Sequence, residues 1–288
     1  MLTDDLTDTV CVSSWLKKCC PGIYAALKGC DGRYFKLVQV EGTSDYWMRD
    51  FMPIQVAENC FVKYCYRPDY LLKKKKDTVY ITDQEKVCRL LGPEWADKIE
   101  MGIADVVMDG GNVVKCSDKI VMTEKVLVEN PHIPRTILAY RLEEAFGCPV
   151  VFLPWDWVEK YGHADGIVHY AGKDRVVLTD YSAFSRDLYN CFLKILEKHF
   201  DVAVLKLDFS NRPYVNSWAY VNFLQTSRVI LVPQIGRSTD VQAVERIRES
   251  FPEYGDRVIG VDAREAVRKG GALNCVTWNI KWSEWDKK

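Results

Sequence analysis

The chain carries no basic excess: 39 Lys and Arg stand against 40 Asp and Glu, a formal net charge of -1. A protein that coats nucleic acid or an anionic membrane carries surplus positive charge, so neither partner is expected. No apolar stretch approaches the roughly 20 residues needed to cross a bilayer; Val229 to Pro233 is typical of the longest. The opening Met1-Leu2-Thr3-Asp4-Asp5 is acidic where a secretory signal is basic, and no apolar core of a signal follows. A soluble chain made in the cytosol is the expectation. Cys-x-x-Cys is absent too, which weakens a zinc-ribbon or thioredoxin reading. The eleven cysteines, Cys11 to Cys275, form no regular framework, and in a reducing compartment most are expected as free thiols in the core. There is no Pro/Ser-rich linker, no low-complexity tract and no readable internal repeat.

What is present is material for a sizeable core. At 48% hydrophobic and 27% charged, the 288 residues exclude a mainly disordered chain. β-rich runs recur at 35–40, 61–66, 113–116, 119–123, 150–153, 175–179, 202–207, 229–232 and 257–261. Helical patterns alternate with them. Arg135 to Phe146 has apolar residues at 137, 138, 142, 145 and 146 and ends at Gly147, a helix stop. Ser185 to Phe200 and Val241 to Phe251 are similarly amphipathic, with Thr239 or Asp240 as N-cap of the latter. The run Lys73-Lys74-Lys75-Lys76 reads as a solvated loop. Strands and helices interleaved over the whole length predict a single α/β domain, residues 1–288.

Several polar residues stand where a periodic core would not put them. They are Arg49-Asp50 between aromatics, Asp109-Gly110-Gly111-Asn112, Gly162-His163-Ala164-Asp165-Gly166, and Gly270-Gly271-Ala272-Leu273-Asn274-Cys275. A glycine-flanked acid or thiol at a strand end suggests backbone drawn close to something that needs room. Taken singly, an Asp-Gly-Gly reads as a turn and a late cysteine as packing. Together they hold the ingredients of a thiol hydrolase. A thiol needs a base or positive surroundings to ionise, and His163 is placed to supply that. The spacing His163-x-Asp165 puts both side chains on one face of an extended segment. Carboxylates gathered near a nucleophile suit a guanidinium, which pairs with them bidentately, and they would crowd a protease site meant for neutral amides. A metal held by His163, Asp165 and Cys275 would need three mixed ligands from distant segments; no metal and no cofactor is expected.

At these residues the sequence resembles the agmatine deiminase and bacterial-type peptidylarginine deiminase family of the guanidine-modifying enzymes. Trp47-Met48-Arg49-Asp50 with Pro53 looks like its Trp-x-Arg-Asp-x-x-Pro, Asp109-Gly110-Gly111-Asn112 is similar to its acid-Gly-Gly motif, and Gly162-His163-Ala164-Asp165 is its Gly-His-x-Asp. Tyr220-Val221-Asn222-Phe223, followed by Val232-Pro233-Gln234-Ile235-Gly236, resembles its Tyr-x-Asn-Phe and Val-Pro-Gln-Phe-Gly stretch, and Gly270-Gly271 with Cys275 fits its nucleophile segment. Residues 1–44 carry no motif of the family.

The resemblance implies a five-bladed, pseudo-symmetric α/β propeller (the pentein fold), about 58 residues per blade, with the site at its central channel. It implies a deiminase that releases ammonia from a guanidino group, agmatine to N-carbamoylputrescine or a related arginine derivative. Cys275 would attack the guanidinium carbon and His163 would act as general acid and then base. Asp50 and Asp165 would hold the guanidinium, and Asp109, where most relatives place Glu, would orient His163 or a guanidinium nitrogen. Asn222 and Trp47 would line the substrate site. The chain departs from the family pattern at Asn274, where relatives carry a His before the nucleophile, and at Ala272 and Gly166, each in place of an Asn. An amidinotransferase with the same Cys-His-Asp set, or a guanidine-binding paralogue without activity, are the alternatives. A small guanidino compound is the expected partner, peptidyl arginine less so, and the oligomeric state, a homodimer included, is open.

Overall fold

The computed structural model describes residues 1–92, 98–157, 160–182, 184–209 and 215–282. Among the described residues, fifteen strands pair into five three-stranded sheets of one design. In each, a middle strand pairs antiparallel with one neighbour and parallel with the other. β1 (Thr9–Ser13) lies parallel to β2 (Lys36–Val40). The next sheets are β3 (Ile54–Ala57), β4 (Cys60–Cys65) and β5 (Ile99–Val107), then β6 (Val114–Cys116), β7 (Lys119–Thr123) and β8 (Val150–Leu153). They are followed by β9 (Val168–Tyr170), β10 (Arg175–Thr179) and β11 (Asp201–Leu205), then β12 (Leu224–Gln225), β13 (Ile230–Gln234) and β14 (Val258–Asp262). The last strand, β15 (Thr277–Ile280), returns to pair antiparallel with β1, from Thr9↔Ile280 to Val12↔Thr277. Both ends of the chain thus build one blade, and the stretch 1–44 supplies its β1 and β2. The antiparallel steps within the other blades need only short turns. Each parallel step needs a crossover, and a helix supplies it. This is the five-bladed α/β propeller that the resemblance implied.

The crossover helices form where amphipathic spacing and end signals agree. Arg135–Phe146 buries Leu138, Leu142 and Phe146 at four-residue intervals and stops at Gly147, whose φ of 67° is the left-handed cap position. Arg186–Leu196 starts at Ser185, whose side chain accepts from Leu188 N, and buries Phe192 and Leu196; residues 197–200 turn away, so the helix is shorter than the periodicity suggests. Asp240–Ser250 starts after Thr239, which occupies the N-cap position without a capping side-chain bond, while Asp240 ties down the preceding loop by accepting from the amides of Ile235, Gly236 and Arg237. The lysine run begins just after the helix Asp69–Leu72 and leads into a 3-10 turn, Lys75–Tyr80, with no buried residue.

Apolar side chains pack between blades rather than at the middle of the ring. One cluster joins Val10, Val12 and Leu27 to Ile230, Leu231 and Ile247; a second joins Phe51, Phe61 and Val62 to Ile120, Leu138 and Trp278; a third joins Val121 and Val151 to Val168, Val176 and Phe192. Where the blades converge the side chains are polar and mutually bonded. Arg49 donates to Asn274 Oδ1 (2.7 Å) and to Asn279 Oδ1, and Asn279 Nδ2 donates to Thr7 Oγ1 (3.0 Å) and Gln225 O (2.9 Å). His169 Nε2 meets Gln225 Oε1 at 3.0 Å, and Lys115 Nζ lies 3.0 Å from Asp4 Oδ1.

The Lys115–Asp4 pair generates a stability prediction. Burial alone would raise the Asp4 carboxyl, yet Lys115, Arg49 and His169 bring it down to about 2. A depressed carboxylate contributes stability that is full above its unfolded value near 4 and is lost as pH falls through about 2. Lys115→Met leaves the partly buried Asp4 carboxylate without its ammonium and should cost about 1–3 kcal/mol. Lys115→Met with Asp4→Asn should recover most of that loss, read as urea midpoints at pH 7.

Candidate active site

The five connections that lead from one blade into the next each deliver one polar motif to the same place. The link from β2 to β3 carries Trp47 and the short helix Met48–Phe51 with Asp50; the link from β5 to β6 carries Asp109-Gly110-Gly111-Asn112. His163 and Asp165 lie between β8 and β9, Asn222 between β11 and β12, and Cys275 between β14 and β15. Hydrogen bonds stitch these links together across sequence separations of 61 (Gly111–Asp50), 54 (His163–Asp109), 57 (Asn222–Asp165) and 53 residues (Cys275–Asn222). Each separation is close to one blade.

Glycines let these links approach. A Cβ on Gly111 would lie 2.6 Å from Asp50 Oδ1 and 2.7 Å from His163 Nδ1, and one on Gly271 would enter the Trp47 ring. Gly270 has a φ of 99°, open to glycine alone in practice, and packs on Tyr161. Trp47, Asp50, Tyr70, Tyr161, His163, Asp165, Trp218 and Cys275 face one pocket. His163 and Asp165 reach it as expected, although Ala164–Gly166 is a turn of 3-10 helix and not an extended segment. Asn112 holds that turn by accepting from Ala164 N (3.3 Å) and from Thr123 N (2.9 Å).

Around the ring the contacts are specific. Asp50 Oδ1 accepts from Gly111 N at 3.2 Å, and Tyr70 OH donates to Oδ2 at 3.4 Å. His163 sits between two carboxylates, with Nδ1 at 3.6 Å from Asp50 Oδ1 and Nε2 at 3.0 Å from Asp109 Oδ2. Asp165 Oδ2 accepts from Asn274 Nδ2 at 2.8 Å and lies 3.8 Å from Cys275 Sγ. Asn222 Oδ1 accepts from the amide and the thiol of Cys275, both at 3.3 Å. Asp109 contacts the His163 imidazole and is not among the residues that line the pocket. Asn274 bridges Arg49 to Asp165 in the place where relatives carry His.

These contacts set the protonation states. Burial pushes the Asp50 carboxyl up to about 7, reinforced by Asp109 and Asp165 and opposed by His163. Burial likewise raises Asp165. Asp109 goes the other way: burial would raise it, but the Lys125 ammonium and His163 hold it below the usual carboxylate range. Burial would lower His163, yet Asp50 and Asp109 carry it up to about 10, so its ring is an imidazolium near neutrality. Cys275 is pushed well above an ordinary thiol by burial and by the charges of Asp165 and Asp50. The His163 nitrogens face Asp50 and Asp109, so what the ring offers Cys275 in this arrangement is positive surroundings rather than a free base.

Sequence reasoning missed several groups here. Tyr70 and Tyr161 stand in no motif, and Lys125, beneath His163, is a buried charge that looks in sequence like any lysine in an amphipathic run. Among the described residues, no group of three or more His, Cys, Asp or Glu is arranged to hold a metal ion, and no helix is long and apolar enough to cross a membrane.

The model of the Porphyromonas-type peptidyl-arginine deiminase family matches residues 17–280. A candidate agmatine deiminase of Marinomonas sp. (strain MWYL1) is 27% identical over 213 residues, covering 62% of this chain and 57% of that protein. The chain thus spans less than two thirds of the length of that curated relative. Among solved structures, the C. jejuni agmatine deiminase superposes with a TM-score of 0.75 at 16% identity, covering 97% of this chain and 95% of its own. The agmatine deiminase of Enterococcus faecalis gives 0.70 at 17%, covering 97% and 94%. At such identities the likeness establishes the fold.

The packing at Gly111 yields a direct test. Gly111→Ala should drive Asp50 and His163 apart by a few tenths of an ångström to an ångström, and a displacement of that size typically costs about 100-fold. We expect kcat/KM for a guanidino substrate to fall by about that factor, while the thermal midpoint shifts by only a few degrees. Unchanged kinetics in the folded variant would show that the two groups need not be held together.

Proposed function

The chain belongs to the Porphyromonas-type peptidyl-arginine deiminase family, and from that premise we propose that it is a guanidine deiminase that converts a small guanidino compound to the ureido product and ammonia. The observation that carries the reading is one pocket into which a cysteine thiol, an imidazolium and two carboxylates all point. A planar guanidinium between Asp50 and Asp165 would be held by charge-assisted hydrogen bonds. Its positive charge also offsets the two carboxylates that keep Cys275 protonated. The substrate therefore supplies the field that favours the thiolate.

The chemistry then follows from position. With the guanidinium bound, the Cys275 thiol loses its proton to solvent, where the departing ammonia later takes it up as ammonium, and the thiolate Sγ attacks the guanidinium carbon, forming a C–S bond. The carbon–nitrogen bond to the terminal NH2 breaks as His163 gives up its proton, and ammonia leaves. The neutral imidazole takes a proton from water, whose oxygen attacks the thiouronium carbon. The C–S bond breaks, the ureido product forms, and sulfur and imidazole regain their starting states. Asp109 keeps the imidazole oriented, Asn222 holds the amide and thiol of Cys275, and Trp47 walls the pocket against Gly271. Asn274 keeps Asp165 turned toward the pocket in the place of the family His. No metal or cofactor enters the proposed steps.

Farther out, Asp45 and Asp156 line the same pocket with Lys160, whose ammonium lies over the rings of Tyr70 and Tyr161. The Asp45 carboxylate on that rim favours a substrate whose tail is cationic over one ending in a carboxylate. Agmatine fits that pattern better than free arginine, and a cytosolic enzyme acting on a free small molecule fits it better than one acting on peptidyl arginine.

An ammonia-release screen across agmatine, arginine, methylated arginines and arginyl peptides tests the reading, with kcat/KM highest for agmatine. Cys275→Ala should abolish release while substrate binding persists. Release at the wild-type rate by that variant would overturn the mechanism. Asp50→Asn or Asp165→Asn should cost about 30-fold to several thousand-fold in kcat/KM, the range for losing one charged pair in a desolvated pocket. Because Asp50 must be ionised to hold the cation, kcat/KM should fall as pH drops through about 7. A haloacetamidine, which carries its own charge, should label Cys275 much faster than neutral iodoacetamide at equal concentration.

A further inference from the structure

Lys125 is among the most deeply buried large side chains of the molecule. It opens the short helix Lys125–Glu129, and its stem runs beneath Gly162, where a Cβ would come within 3.0 Å of Lys125 Cδ. Its ammonium meets three acids: Asp109 Oδ2 at 3.1 Å, Glu129 Oε1 one turn along its own helix, and Asp69 Oδ1 at 3.4 Å on the helix Asp69–Leu72. Asp109 Oδ2 is therefore shared. The ammonium reaches it at 3.1 Å and His163 Nε2 at 3.0 Å, while Asp109 Oδ1 is buried without a hydrogen bond. Two cations compete for one oxygen of a carboxylate whose other oxygen is idle.

We propose that Lys125 is a positioning residue that competes with His163 for Asp109 Oδ2 and so loosens the hold of that carboxylate on the imidazole proton. The need for such loosening follows from the surroundings. His163 faces Asp50 and Asp109 at its two nitrogens, the rings of Tyr70 and Tyr161 at its edges, and Asp165 and Cys275 across the pocket. Two unshared carboxylates would fix the imidazolium so firmly that it becomes a poor acid, and a general acid works best when its pKa lies near the working pH. The direction agrees, since the Lys125 charge lowers both His163 and Asp109. Glu129 tempers the effect: it draws the ammonium away from Asp109 when charged, and its own carboxyl is pushed up to about 7, by burial first and then by Asp109.

The kinetic consequence rests on the deiminase reading, whereas the titration does not, so the test reads both. The double variant Lys125→Met/Glu129→Gln removes the pair together and leaves Asp109 with His163 as its cation and Asp69 partly exposed to solvent. The other histidines are His132, His169 and His199, so the His163 ring signals are identified by their loss in His163→Gln. In the folded double variant the imidazole of His163 should keep its proton to higher pH than in the wild type by NMR titration. Its kcat for ammonia release should fall about 10- to 100-fold, the usual cost of losing a group that tunes a functional side chain from behind. Glu129→Gln alone should move the His163 titration the opposite way. A His163 titration that stays put or moves down in the double variant overturns the proposal, as does an unchanged kcat in the folded double variant of an active enzyme. A wild type that releases no ammonia from any guanidino compound would defeat the deiminase reading and leave the two opposed titration shifts to decide the role of Lys125.

Discussion

Three buried carboxylates, those of Asp50, Asp109 and Asp165, and the largely covered one of Glu129 stand close together, with His163, Lys125 and Arg49 among the described residues to offset them. Buried charge without a partner is among the most expensive things a fold can hold, and much of the local architecture serves to make this cluster tolerable. His163 is placed where it touches Asp50 and Asp109, and Lys125 where it touches Asp109 again, Glu129 and Asp69. Arg49 reaches Asp165 through Asn274. The remainder of the negative field is left facing the pocket. That unbalanced remainder is what a cationic substrate would meet, so stability and recognition are set by the same carboxylates.

The glycine pairs belong to this same constraint. Charges spread over five separate links can compensate one another only if the links come within hydrogen-bond reach, and a single Cβ at Gly111 or Gly271 would hold them apart. The polar residues at the middle of the ring extend the arrangement inward. Arg49, Asn279, Gln225, Lys115 and Asp4 come from different parts of the chain and bond to one another or to backbone, so the convergence of the blades is wired by polar pairs rather than filled with hydrocarbon.

Much of this was legible beforehand, and the reasons are physical. Strands such as β7 and β10 carry unbroken β-branched or apolar runs, and the helix Arg135–Phe146 announces both its face and its end, so pattern alone locates them. β9 and β12, with three and two residues, are too short for any period to register, and β1, buried at every position, offers no alternation to see. The site motifs stood out because each places a charge or thiol beside glycines. Their spacing carried the ring symmetry as well: the bonded pairs fall 53 to 61 residues apart, close to one blade, even though the blades share no sequence repeat. Lys125 was invisible because burial, not identity, makes it special. The protonation states were invisible for a related reason, since sequence shows which groups carry charge but not which of them are already engaged.

The clasp between β1 and β15 bears on when the pocket becomes reactive. Cys275 lies two residues before β15, and β15 can dock only on the strand that begins the propeller. In the order of the chain Asp50, Asp109, His163, Asp165 and Asn222 are all made before Cys275. Until the final strand closes on the first, the walls of the pocket can assemble but no thiol sits within them. The pairing that closes the ring is therefore also the one that seats the Cys275 thiol among them.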